Sequence, residues 1–89
     1  MAHVYFTAHL RSVVAKSPVE ADGGIVRDAF RSVFLANPRL EGYVLDEQGA
    51  LRQHVCVFLD GERLPNDTAL DAPLRRESEI YVMQALSGG

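Results

Sequence analysis

The chain has 89 residues, 47% of them hydrophobic, and a formal net charge of −3 from 12 acidic and 9 basic residues. This length allows one compact domain with a single core and excludes a second domain. There is no apolar run near the roughly 20 residues of a membrane span, no signal-peptide pattern and no basic cluster suited to phosphate backbones, so we expect a cytoplasmic protein without membrane or nucleic-acid partners.

The first two predicted elements are strands. Residues 4–10 are rich in aromatic and β-branched side chains, and their alternation places Val4, Phe6 and Ala8 on one side of a strand. A short extended segment is predicted at residues 19–21, where it ends at a glycine-rich turn. The first part of the chain therefore predicts two strands joined by a loop.

An amphipathic helix is predicted for residues 25–36. Its apolar residues recur at intervals of three and four, which is the spacing of one helical face. These residues are Val26, Ala29, Phe30, Val33 and Phe34. The helix is expected to end at Asn37-Pro38, because a residue before proline avoids the helical region and proline has no amide hydrogen.

The second half of the chain predicts three further strands. Residues 40–52 mix apolar and turn-forming residues, which favours an ordered loop with a short turn or strand. Residues 55–59 form a short apolar strand with both faces covered, and Asp60-Gly61 predicts a tight hairpin with Arg63-Leu64 as the returning arm. After a short proline-marked turn, residues 79–84 form the last strand.

These elements predict an α+β fold, in which a mixed sheet of four to five strands packs one main helix on one face. The other face is then polar or reserved for a partner, and the apolar character of residues 55–59 favours a partner. Candidates for a docking face are Phe58, Leu59, Met83 and Leu86, because they lie on strands near the end of the chain. Core packing remains the alternative for Phe58 and Leu59.

The polar residues predict no metal site and no bound cofactor. His3, His9 and His54 do not have the spacing of metal ligands. Cys56 is the only cysteine, which excludes an internal disulfide and a zinc-ligand pair. Since Cys56 lies inside an apolar strand, we expect a buried and inert thiol.

The most informative feature is the end of the sequence, Ser87-Gly88-Gly89. Because glycine has no Cβ, such a segment can enter a narrow channel and leaves the terminal carboxylate accessible. An ionised carboxylate must be activated before a nucleophile can attack it. Adenylation with ATP would allow sulfide to form a thiocarboxylate or an amine to form an amide. The residues alone leave open both reactions and an inert Gly-Gly end.

The sequence resembles the MoaD/ThiS family of ubiquitin-like sulfur-carrier proteins over nearly its whole length. The similar stretches are residues 4–11, 26–30, 37–40, 45–49, 51–52, 55–62 and 70–74, and the Gly88-Gly89 end. Their order and spacing are more similar to the small subunit of molybdopterin synthase than to the shorter thiamine-pathway carrier. Residues 84–87 differ from the molybdopterin branch, because they lack the prolines that are common there.

The resemblance implies a β-grasp domain over residues 1–89, with residues 85–89 as a flexible tail. It further implies that a ubiquitin-activating-type enzyme uses ATP to adenylate Gly89, that Gly88 eases entry into its channel, and that Gly89 becomes a thiocarboxylate. The implied acceptor is a synthase similar to the large subunit of molybdopterin synthase. Carriage for cysteine, thiamine or another sulfur metabolite, and isopeptide conjugation to proteins, are the alternatives. The resemblance thus implies that the chain is not itself an enzyme but a cosubstrate or small subunit that acts with a partner enzyme.

Overall fold

The computed structural model describes residues 2–6, 19–21 and 23–84. The strands and helices of these ranges are β1 (Ala2–Phe6), β2 (Val19–Ala21), α1 (Val26–Ala36), α2 (Pro38–Val44), β3 (Val55–Leu59), β4 (Glu62–Leu64) and β5 (Glu79–Gln84), with a 3-10 helix at Ala69–Asp71. The part of the predicted first strand that covers residues 7–10 lies outside the described residues.

The five strands form one sheet in the order β2-β1-β5-β3-β4. The last of these strands, β5, is therefore the central strand. It pairs in parallel with β1 and antiparallel with β3, and the β1–β2 and β3–β4 pairs are antiparallel. This mixed sheet with helices confirms the predicted α+β, β-grasp fold.

The core lies between α1 and one face of the sheet. The five apolar residues predicted for the buried face of α1 are all buried, as the 3.6-residue period requires. They join a cluster that contains strand residues such as Val4, Val57 and Val82, which are fully buried. Burial of this one helical face holds the short chain together, because each large apolar side chain contributes about 1.5–3 kcal/mol.

The start of α1 is anchored by backbone contacts with other segments. The backbone N–H of Val26 donates to the carbonyl of Ala72 at 3.0 Å, in a helix whose N-cap residue makes no side-chain hydrogen bond. Just before the helix, a Cβ at Gly23 would lie 2.6 Å from the Cβ of Asp28 and 2.8 Å from the backbone nitrogen of Ala29. Only glycine lets the chain pass α1 at this distance.

The loop predicted for residues 40–52 is wrong in its first part, because Pro38–Val44 forms α2. Pro38 stands in the first turn of this helix, where the missing N–H has no intrahelical partner to lose. The proline that ends one helix therefore also starts the next. Leu40 and Val44, four residues apart, are buried on the same side of α2.

The rest of this segment is a turn, as predicted. Leu45 and Leu51 form an isolated antiparallel bridge that closes it. Within the turn, one carboxylate oxygen of Asp46 accepts hydrogen bonds from the backbone N–H groups of Ala50 at 3.0 Å and Gln48 at 2.8 Å. These bonds stabilise the ionised form and lower the pKa of Asp46.

The predicted Asp60-Gly61 hairpin is confirmed. Leu59 faces Glu62 across the β3–β4 pair, so the connection consists of two residues. Both have positive φ, 50° at Asp60 and 87° at Gly61. Two positive φ angles are typical of a type I′ turn, which matches the twist of the flanking strands and favours the Asp-Gly sequence.

The side chain of Asp60 also connects this hairpin to the start of β5. One carboxylate oxygen accepts a hydrogen bond from the backbone N–H of Glu79 at 2.9 Å, and the other accepts one from the guanidinium of Arg75 at 3.1 Å. The Glu79 hydrogen bond, followed by the Arg75 contact, lowers the pKa of Asp60. The hairpin is thus tied to the central strand by charge-assisted bonds.

Candidate functional site: the open face of the sheet

Side chains along the central strands alternate between the core and the opposite face of the sheet, here called the open face. On β5, Ile80 and Val82 are fully buried in the core, whereas Tyr81 and Met83 are 37% and 36% exposed. The strand register brings the partly exposed side chains of β1, β3, β4 and β5 to the same side. They are His3, Tyr5, Cys56, Phe58, Arg63, Glu79, Tyr81 and Met83.

A row of three aromatic residues crosses the middle of the open face. Tyr5 on β1 is the register partner of Tyr81 on β5, which faces Phe58 on β3, and Phe58 faces Arg63 on β4. The rings of Tyr5 and Tyr81 are stacked, with centroids 4.6 Å apart and an angle of 9° between the planes. The row therefore places aromatic side chains across three neighbouring strands, with the guanidinium of Arg63 at its β4 end.

The apolar part of the open face lies toward the end of β5. Met83 faces Cys56 there, two residues along each strand from the Tyr81–Phe58 pair. We call these four residues, Cys56, Phe58, Tyr81 and Met83, the apolar patch. Toward the start of β5, His3 is instead the register partner of Glu79. The apolar patch is thus the part of the face closest to the point where the chain continues into residues 85–89.

The hydroxyl of Tyr5 donates a long hydrogen bond of 3.5 Å to a carboxylate oxygen of Glu79. Partial burial raises the pKa of Tyr5, and the negative charge of Glu79 raises it further. Tyr5 is therefore a neutral phenol at physiological pH.

The structure brings together only some of the residues predicted for docking. Phe58 and Met83 lie on the open face, in diagonal positions of β3 and β5. Leu59 lies on the opposite face, where it packs against the core, so it does not share a surface with the other two. Leu86, Gly88 and Gly89 lie outside the described residues. Docking through Phe58 and Met83, and activation at Gly89, stay predictions.

Sequence reasoning missed the two tyrosines of the aromatic row. The alternation that assigned Val4 and Phe6 to the core also directs Tyr5 to the other face, so the signal for it was present. The interpretation of Cys56 as a buried thiol is wrong. Because it stands between the buried Val55 and Val57, Cys56 points to the open face and is partly exposed.

Within residues 2–6, 19–21 and 23–84, no group of three or more His, Cys, Asp or Glu side chains is placed to hold a metal ion. The helices of these ranges lack the length and apolar character that crossing a membrane requires.

Solved structures with the same architecture cover almost the whole chain. SAMP1 from Haloferax volcanii is 27% identical, with a TM-score of 0.80 over 99% of this chain and 98% of the other. A chain of the BexX/CysO complex from Amycolatopsis orientalis is 20% identical, with a TM-score of 0.87 over 100% of both chains. CysO from Mycobacterium tuberculosis is 15% identical, with a TM-score of 0.85 over 97% of this chain and 100% of the other.

No protein-family model matches the sequence, and no curated protein matches it significantly. The structural neighbours nevertheless confirm the MoaD/ThiS-like, ubiquitin-like fold that the sequence resemblance implied. SAMP1 is described as a small archaeal modifier protein. The similar chains are thus small β-grasp proteins of nearly the same length as this one.

Proposed function

We propose that this chain is a ubiquitin-like sulfur carrier that is activated and loaded with sulfur at Gly89. The position of β5 supports the proposal. This central strand is held between β1 and β3, and the five residues that follow Gln84 end in Gly88-Gly89. Five residues span at most about 17 Å, which is enough to carry a carboxylate from a docked sheet into a partner's active site.

The proposed chemistry takes place in a partner of the ubiquitin-activating type. The Gly89 carboxylate attacks the α-phosphate of ATP, so that an acyl-adenylate forms and pyrophosphate leaves. Hydrosulfide then attacks the acyl carbon, the C–S bond forms, and the bond to AMP breaks. The product is a thiocarboxylate that can donate its sulfur to an acceptor enzyme. ATP is consumed by the partner, and the chain acts as a cosubstrate.

The open face has the composition expected for docking to this enzyme. The apolar patch combines aromatic and thioether side chains, which are enriched in protein interfaces. It also lies toward Gln84, the last described residue of β5, so that contact through Phe58, Tyr81 and Met83 would hold the start of residues 85–89 near the partner's active site. We include Leu86 in this contact on the strength of its sequence position.

For the sulfur acceptor, we propose a synthase similar to the large subunit of molybdopterin synthase. The support is the order and spacing of the similar stretches in the sequence, which resemble that branch. Synthases for cysteine, thiamine or another sulfur metabolite are the alternatives, and the CysO neighbours have the same fold. The activation step at Gly89 is common to all of them.

A second candidate function is protein modification. It is favoured by the 27% identity to SAMP1, a small archaeal modifier protein. In this reaction, the ε-amine of a lysine on another protein attacks the adenylated Gly89 and displaces AMP, which forms an isopeptide bond. The two functions share activation and differ only in the nucleophile.

The test of both functions is mass spectrometry of the full chain after incubation with ATP, an activating enzyme and sulfide. We expect sulfur in place of one oxygen at Gly89, located by alkylation of the thiocarboxylate and sequencing of the last peptide. Location matters, because oxidation of Met83 or Cys56 changes the mass by nearly the same amount.

Deletion of Gly89 should abolish loading and leave the melting temperature unchanged, because a terminal residue contributes little packing. Gly88→Phe should also block loading, by steric exclusion from the channel. Loading that persisted in the deletion variant would contradict the carrier function. Lysine-linked adducts without a thiocarboxylate would favour the modifier function instead.

A further inference from the structure

A second concave surface lies on the helical side of the sheet. It is a groove of about 290 Å³ between α1, the residues from α2 to Gly49, and the 3-10 helix. Its lining includes Phe30, Phe34 and Leu70, which are largely buried and form an apolar floor. The two phenylalanine rings are tilted against each other, with centroids 5.9 Å apart.

The groove has an unusually exposed apolar residue at one end. Leu35 also lines it and is 80% exposed, more than any of the other large hydrophobic residues found exposed in the described residues. A single exposed leucine is common and carries no function by itself. Next to a concave apolar floor, however, it extends the surface that a partner can cover.

The two edges of the groove carry opposite charges. On the α1 edge lie Arg27 and Arg31, which are one helical turn apart. Arg27 forms an exposed ion pair with Asp71 at 2.9 Å, whereas the guanidinium of Arg31 makes no hydrogen bond or ion pair within residues 2–6, 19–21 and 23–84. Glu41 of α2 lies on the other edge. The α1 edge thus offers a guanidinium that is open to an anionic partner.

We propose that this groove binds a short acidic amphipathic helix of a partner protein. The distance along α1 from Arg27 to Leu35 is about 12 Å, which matches two turns of a bound helix. Apolar side chains at positions i, i+3, i+4 and i+7 of that helix would lie on the floor. The carboxylates of the bound helix would face Arg31. The edge of that helix next to Glu41 would carry no acidic residue, because Glu41 would repel it.

The proposal is independent of Gly89 and goes beyond the function proposed above. The groove is built on α1 and α2, whereas the apolar patch lies on the face of the sheet that α1 does not cover. Both surfaces are therefore accessible at the same time. A partner in the groove would recruit the chain to a complex and leave β5 and the residues after it free for activation.

Two designed peptides test the groove by NMR titration of the full 15N-labelled chain. Both are amidated and acetylated helices with leucine at i, i+3, i+4 and i+7, and they differ only in carrying glutamate or lysine along one edge. We expect the acidic peptide to bind at least about tenfold more tightly and to shift the signals of Phe34, Leu35 and Leu70. Because the chain has a net charge of −3, non-specific attraction would favour the basic peptide instead.

Matched variants locate the contact. Arg31→Glu should weaken binding of the acidic peptide about tenfold, whereas Arg76→Glu, the same charge change on an exposed turn outside the groove, should have little effect. Leu35→Ser should also weaken binding without a change in melting temperature, since Leu35 is exposed.

Four results would overturn the proposal. The first is no saturable binding of the acidic peptide at millimolar concentration. The second is equal weakening by Arg31→Glu and Arg76→Glu, and the third is a set of shifted signals on the apolar patch. The fourth is concentration-dependent self-association of the free chain that Leu35→Ser abolishes, because the occupant would then be a second copy of the chain.

Discussion

The two faces of the sheet use the same strands for different purposes. On β5, Ile80 and Val82 are fully buried under the helices, while Tyr81 and Met83 alternate with them and remain more than a third exposed. Neighbouring residues of one strand therefore serve the core and the candidate docking surface in turn. As a result, the docking surface can change while the core stays the same, because a strand separates the two sets of side chains completely.

The largest effect expected from this comparison is on stability. Ile80→Ala should lower the free energy of unfolding by about 2–5 kcal/mol, because it removes buried methyl groups and leaves a cavity. Tyr81→Ala, one residue along the strand, should cost about 1 kcal/mol, mostly from the lost stacking with Tyr5. Urea unfolding of both variants measures the difference. Equal losses would mean that the open face is also part of the core.

Local sequence patterns predicted the buried face of α1 and the hairpin between β3 and β4 well. The buried face of α1 follows from the three- and four-residue spacing of Val26, Ala29 and Phe30, since this spacing directly encodes the side that packs. The hairpin follows from Asp60-Gly61, because few sequences accept two positive φ angles in succession. Both signals are complete within a few residues of the chain.

The parts that could not be predicted depend on contacts between distant residues. Tyr5 and Tyr81 are 76 positions apart, and only the parallel pairing of β1 with β5 stacks their rings. Leu59 belongs to an apolar strand whose residues all look buried, and its register partner Ile80 places it on the core side. The start of α2 was missed for a different reason, because Pro38 signals both the end of one helix and the first turn of another.

The next largest effect concerns binding to the partner. Here we expect the open face, which contributes less to stability than the core face, to matter more. We expect Tyr81→Ala to weaken the complex with the activating enzyme at least about tenfold, because aromatic residues at the centre of an interface often dominate its affinity. Tyr43→Ala is the matched control, since Tyr43 is 43% exposed and lies on the helix α2, which is not part of the sheet. Isothermal titration calorimetry of both variants measures the affinities.

Equal weakening of the complex by Tyr43→Ala and Tyr81→Ala would contradict the proposal that the open face is the docking surface. A loss of affinity confined to Tyr81→Ala, in a variant whose unfolding free energy falls by only the expected amount of about 1 kcal/mol, would instead separate docking from stability. The rate of loading provides a second measurement. We expect Tyr81→Ala to slow loading of Gly89 at low enzyme concentration and to have little effect when the enzyme is saturating. That pattern is expected when a residue contributes to binding but not to the chemistry.

The smallest expected effect lies at the turn that connects β3, β4 and β5. Asp60 has a lowered pKa in the folded chain, because the backbone N–H of Glu79 and the guanidinium of Arg75 favour its ionised form. A group with a lowered pKa stabilises the fold above its unfolded pKa of about 3.9, and this contribution is lost as the pH falls through the folded value. Stability should therefore decrease in acid.

Asp60→Asn isolates this contribution, because asparagine keeps a side-chain oxygen for the Glu79 N–H and tolerates the positive φ of 50°. We expect its melting temperature to be a few degrees below that of the unmodified chain at pH 7, and this difference to shrink as the pH falls through the lowered pKa of Asp60 and its carboxylate is neutralised. Asp46 titrates in the same direction in both proteins, so its effect cancels in the difference. The control is Asp67→Asn, because the carboxylate of Asp67 is exposed and makes no hydrogen bond or ion pair in the described part of the chain. This variant should show no such pH-dependent difference. A constant difference for Asp60→Asn across this range would mean that the turn geometry, and not the charge, ties the hairpin to the central strand that both faces share.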